Sequence, residues 1–267
     1  MEKVNRWILQ HAWLAYFLMC ATLFLFVGLI VPATVEATIV ACIVMLLGFR
    51  ASVYFVFGRS NVLLKKPMEI LCNQCDPYPF QEETQRQCHC PGPSQLRLQY
   101  YTFAAMGLCE IGEYRQAYDL LMSVRDTLVP KVHPNWRLMY YTEMYFLLVK
   151  LQMTSELELL HNQVVTTYDA CKKEIIKQKM KAGVMSHFAL YHRTRGEYGQ
   201  ALEYMQAIPP VTRRDHVVRA MALAQDHWAM GEVELAREKL QFVIENGNKL
   251  YVVTEAKALL EKIHAAE

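Results

Sequence analysis

Gly112-Glu113-Tyr114-Arg115-Gln116-Ala117, Gly196-Glu197-Tyr198-Gly199-Gln200-Ala201 and Gly231-Glu232-Val233-Glu234-Leu235-Ala236 are three versions of one phrase. Seven residues before each leading glycine stands another alanine, at Ala105, Ala189 and Ala224, and four residues after the closing alanine stands Leu121, Met205 or Leu240. The pattern reads as a helical hairpin. A helix ends before the glycine, which accepts the left-handed turn conformation, and a second helix follows. The paired alanines let the two helices approach where larger side chains would collide, and Tyr114 and Tyr198 are expected to fill the cleft beside the turn.

With these small residues at these places the chain resembles the tetratricopeptide repeat family, whose unit is a helix-turn-helix of about 34 residues. The resemblance covers residues 95–262. Gly196 to Gly231 is close to one family period, whereas Gly112 to Gly196 is more than two, so a divergent repeat is expected at 135–168. Its helices are placed at 136–151 and 155–168, with Gln152 where the turn glycine belongs. The extra residues at 172–181 extend a helix or lengthen a loop. The final segment, 251–264, carries Val252, Ala256, Leu259, Leu260 and Ile263 at helical spacing, and reads as a helix capping the stack.

The resemblance further implies an α-solenoid whose first helices line a concave face that holds a protein or peptide ligand. The family's groove positions fall on Thr102 and Met106, then Met139 and Phe146, then Arg193, and finally Met221, Gln225 and Trp228. The lining is mostly apolar, with Arg193 its one cation. That suits a helix or an extended apolar peptide better than the carboxylate tails clamped by some family members.

The chain is 53% hydrophobic, high for a soluble protein, and the excess lies at the front. Residues 12–31 carry no charge and have the length that a bilayer core requires of a helix. A second apolar segment, 37–57, is interrupted by Arg50, which near the end of a span can snorkel to the headgroups. A cleavable signal peptide is the competing reading of the first segment, but its apolar core is too long for one and a second follows at once. Residues 1–67 hold six basic groups against two acidic ones. The basic groups flank both spans and the link at 31–36 has none, so both termini are expected in the cytoplasm. The expected division is a two-helix transmembrane hairpin at 1–60, a cysteine- and proline-rich linker with short helices at 61–94, and the repeats at 95–267, all of it all-α.

Within the linker, 68–74 reads as a short amphipathic helix, and a second begins near Phe80 after Asp76-Pro77. Cys72, Cys75, Cys88 and Cys90 offer four thiols, but the one-residue gap of the second pair departs from the usual zinc spacing. Free thiols in a reducing compartment are the preferred reading, with a zinc-binding regulator as an alternative.

Nine histidines are scattered without a catalytic or metal-binding spacing, and no phosphate-cradling loop occurs. His192 and His227 are expected to pack inside their hairpins. A net charge of +2 and short basic runs at Lys172-Lys173 and Arg213-Arg214 exclude a nucleic-acid footprint. No cofactor and no small-molecule substrate is implied. The sequence therefore points to a non-catalytic, membrane-anchored interaction scaffold, or, as the other class, an accessory subunit of a membrane enzyme or secretion complex.

Overall fold

A computed structural model describes residues 2–30, 34–171 and 174–266, and the regular elements among them are helical. Residues 31–33 of the expected inter-span link at 31–36, and the basic pair Lys172-Lys173, lie outside the described residues.

A short amphipathic helix, α1 (Glu2–Gln10), leads into α2 (Ala12–Ile30), and α3 (Val35–Phe57) returns alongside it. Both α2 and α3 are long and apolar enough to cross a membrane. Only 17% of the apolar window in each is buried within the chain, so neither is a core helix, and Phe17, Leu25, Phe26, Leu46 and Leu47 stand more than half exposed. The two helices meet through small or slender positions. Ala12 and Ala15 pack with Val56 and Phe57, and Gly48 lies directly against Leu23.

At Gly58 the chain passes without a loop into α4 (Arg59–Gln74), which precedes α5 (Tyr78–Cys88). The sequence starts this helix at Met68, because a proline deprives the helix of one backbone donor. The structure carries it straight through Pro67, since Leu63, Leu64 and Leu71 on either side are buried and hold it in place. Asp76 caps the next helix by accepting from the Tyr78 amide at 3.3 Å, with Pro77 just ahead of it.

Four helix pairs follow: α6 (Ser94–Glu110) with α7 (Tyr114–Met122), α8 (Pro134–Lys150) with α9 (Leu157–Asp169), α10 (Glu174–Thr194) with α11 (Tyr198–Gln206), and α12 (Arg213–Ala229) with α13 (Val233–Asn246). A last helix, α14 (Tyr251–Ala265), closes the chain. The pairs pack in sequence. The alanines of the repeated phrase are the contact points: Ala105, Ala117, Ala189, Ala201, Ala224 and Ala236 are all completely buried. The surplus residues expected around 172–181 lie largely in the first turns of α10, which runs for 21 residues.

The turns of the four pairs are built alike. In each, an amide bonds back across six residues, Glu113 to Leu108, Met153 to Leu148, Glu197 to His192 and Glu232 to His227, every one at 2.9 Å. This is a Schellman closure, and its central residue must take a positive φ. Gly112 does so at 85°, and in the divergent pair Gln152 adopts 58° in its place. Gln152 therefore bears a conformational strain that glycine would not. Gln152→Gly is expected to raise the unfolding free energy by about 1 kcal/mol. Gly112→Ala should lower it by about 2 kcal/mol, because the new Cβ would also fall 2.4 Å from the Tyr251 ring. Denaturant unfolding of the full chain checks both, and the absence of a gain at Gln152 together with the absence of a loss at Gly112 would refute the shared turn geometry.

In a solenoid each repeat contacts only its neighbours. Here the array closes on itself. Leu64, Leu71, Cys75 and Phe80 of α4 and α5 share one apolar core with Val217, Met221, Leu240, Val253 and Ile263 of the last three helices. The segment expected as a linker thus forms a fifth helix pair that joins both ends. α14 does more than cap: it also touches α6, and Tyr251 sits edge-on to Tyr114 at 5.7 Å.

Candidate functional site

The first helices of the pairs, α6, α8, α10 and α12, carry the residues expected in the groove, and the structure distributes them unevenly. Met139 lines an open cleft between α8 and α10, with Leu138, Thr142, Lys179, Met180, Gly183 and Val184 around it. At about 90 Å3 the cleft admits one side chain, far less than the roughly 300 Å3 or more of a small-molecule site. A second hollow, about 180 Å3, lies between Arg125, Pro130, Tyr140 and Glu156, away from the expected groove residues.

The other expected residues are engaged by the chain itself. Thr102 is buried, its hydroxyl donating to the Leu98 carbonyl at 2.9 Å, and Met221 is buried in the shared core. Met106 and Trp228 pack partly against that core, and Gln225 is half-buried beside them. Phe146 stands edge-on to Tyr114 at 6.0 Å, with the Lys150 ammonium 5.6 Å over its ring. Arg193 forms a two-pronged ion pair with Asp226, Nε to Oδ1 at 2.6 Å and Nη2 to Oδ2 at 2.8 Å, and also donates to the Ala222 carbonyl. Asp226 is fully buried, so this pair ties α10 to α12 from within.

Where the ends of the array meet, charged and polar side chains join them. Arg214 binds Glu110. Lys150 and the Tyr114 hydroxyl both donate to the Glu255 carboxylate, at 2.7 and 2.8 Å. Lys249 pairs with Asp76 at 2.6 Å, and Asn248 donates to the Gln74 carbonyl. Deeper in, the Cys109 thiol donates to Glu143 at 3.2 Å. Burial pushes the Glu143 carboxyl up to about 7, with Glu110 adding to the rise, and the same burial raises the Cys109 thiol far out of the nucleophilic range.

The four linker thiols fall into two separate settings. Cys72 and Cys75 face the start of α12, near Arg214, while Cys88 and Cys90 lie with Leu9, Leu63 and Tyr100. Cys88 donates to the Tyr100 carbonyl at 3.4 Å, and burial pushes it up to about 12. The two pairs are thus not brought together, and among the described residues no group of three potential metal ligands occurs.

The histidines divide by role. His192 and His227 pack partly inside their hairpins as expected, and each also hydrogen-bonds the glutamate of its own turn, Glu197 at 2.6 Å and Glu232 at 2.5 Å. Sequence reasoning missed the pair His161 and His187, whose Nδ1 and Nε2 meet at 3.1 Å between α9 and α10. His187 is buried against Tyr145, its Nδ1 has no partner among the described residues, and burial lowers its pKa to about 3. No local spacing announces a contact across 26 residues. The charges at Glu110, Glu143 and Asp226 did leave a signal, since each interrupts an otherwise apolar helix face and so required an internal partner or the inner surface.

Neither a protein-family model, nor a curated protein, nor a solved structure matches this chain.

Proposed function

We propose that the chain is a non-catalytic, membrane-anchored scaffold of tetratricopeptide type, which presents the face between α8 and α10 to a protein or peptide ligand on the cytoplasmic side. The observation that carries this reading is the direct passage of α3 into α4 at Gly58: an apolar helix of membrane length becomes the first helix of the packed array. α1 strengthens the mounting, because Leu9 is buried against Leu63 and Tyr100, and Arg6 pairs with the nearly buried Glu83 at 2.9 Å. A rigid mount suits a module that holds a partner at a fixed height above a membrane. Exposed apolar side chains around α2 and α3 suit lipid, and basic residues on both outer flanks favour cytoplasmic termini.

Two readings from sealed vesicles test this. With a tag after Glu267, the intact mass should retain the first 30 residues and the tag should be cut only from the cytoplasmic face; a trimmed mass or a protected tag refutes the topology. A photoreactive residue at Gly183, where an added side chain meets nothing within 4 Å, should give adducts of protein size. The same probe at exposed Arg115 on α7 should not. Equal labelling at both positions refutes the α8–α10 face.

A further inference from the structure

We propose that α1 and the first turns of α4 form a collar that binds anionic phospholipid headgroups; this rests on the membrane reading above. Trp13, half exposed, stands edge-on to Phe57 at 5.4 Å, which brings the start of α2 level with the end of α3. Trp7, also half exposed, lies one to two turns further out on α1. Tryptophans at such a level mark the boundary between hydrocarbon and headgroup. Exposed Val4 on α1 and Val62 on α4 extend that apolar rim.

Among these groups stand cations that the protein does not neutralise. Lys3, Lys65 and Lys66 are exposed, and no acidic partner for them occurs among the described residues. Arg59 is used locally, its guanidinium over the Phe55 ring at 3.8 Å and bonded to Asn5. The nearby acids are mostly engaged: Glu2 and Glu83 by Arg6, and Asp76 by Lys249, with Glu69 one turn beyond the lysines. Lys65 and Lys66 follow Phe57 by fewer than ten residues, at most about 13 Å along a helix, which their flexible side chains shorten further. That is within reach of a headgroup layer and comparable to the screening length. Apolar rim and cations together match a lipid surface. An acidic protein surface would satisfy the lysines and leave the tryptophans in water.

The test is tryptophan quenching in the full-length chain, reconstituted into phosphatidylcholine nanodiscs that carry the same graded series of mole fractions of either brominated phosphatidylcholine or brominated phosphatidylglycerol. The two remaining tryptophans, Trp136 and Trp228, lie in the helical array, beyond such short-range quenching. Phosphatidylglycerol is expected to quench at a concentration roughly tenfold lower, and the preference should vanish in the Lys3→Gln, Lys65→Gln, Lys66→Gln triple variant, whose replaced side chains are all exposed. Equal quenching by the two lipids overturns the collar and leaves the membrane anchor standing. A preference that survives the triple substitution also overturns it, because other groups then select the lipid. Absence of quenching by either lipid overturns the collar and the membrane reading together.

Discussion

Arg193→Ala is expected to lower the unfolding free energy of the full chain by about 3–5 kcal/mol, the cost of leaving a buried charge without its partner. Asp226 has no solvent to turn to, and both its oxygens are held by the one guanidinium. Denaturant unfolding in detergent, followed by circular dichroism, measures the loss. Arg193→Lys should recover only part, since an ammonium cannot reach both oxygens with the fixed fork of a guanidinium. Replacing both partners, Arg193→Met with Asp226→Leu, should return stability to within about 2 kcal/mol of the natural chain, because the desolvation penalty then disappears. A loss below about 1 kcal/mol for Arg193→Ala would mean that the pair is not a tie between α10 and α12. The same residue was the one cation expected in the groove lining, and the structure spends its charge internally.

That reversal shows what a single sequence can carry. The turns were legible because their determinants are local: alanines that must be small at a helix contact, and a glycine that must be left-handed. Even Gln152 was placed correctly by spacing, although nothing in its chemistry announces a positive φ. The capping helix was legible for the same reason, from apolar residues at helical intervals. The closure of the array was not. Contacts such as Arg214 with Glu110 or Lys150 with Glu255 join residues more than a hundred positions apart, and such pairs leave no periodic trace. The cysteine-rich stretch misled in a milder way, since its prolines suggested breaks where burial on both sides keeps α4 continuous. The groove suffered most from this. Of the expected residues on α8 and α10, only Met139 lines an open cleft, Phe146 and Arg193 being held by the chain itself, and those on α6 and α12 are drawn into the seam where first and last pairs meet.

The natural chain should show little change in stability between pH 4.5 and 6.5, a flatness that hides two opposed titrations. His187 is held near 3 in the fold against 6.5 when unfolded, so its contribution is complete above pH 6.5. As the pH falls the unfolded chain takes up a proton that the fold refuses, and stability is lost at about 1.4 kcal/mol per unit. His161, lowered by burial as well, acts in the same direction. Glu143 works the other way. Its carboxyl rises from 4.5 to about 7 on folding, so stability is greatest below pH 4.5 and declines as the pH climbs through 7. Removing one group exposes the other. In Glu143→Gln, stability should fall by about 3 kcal/mol from pH 6.5 to 4.5, the part of the buried imidazole's effect that these two units cover. In His187→Phe it should instead rise by about 2 kcal/mol over the same interval, less than the full shift implies because Glu143 keeps some contact with water. The double variant should be nearly flat, keeping only the smaller contribution of the half-buried His161. Unfolding free energies of the four proteins at three pH values decide the matter: parallel profiles would show that neither side chain is desolvated as described. Opposite slopes would place a buried histidine and a largely desolvated carboxyl, in different parts of the array, in balance across the mildly acidic range.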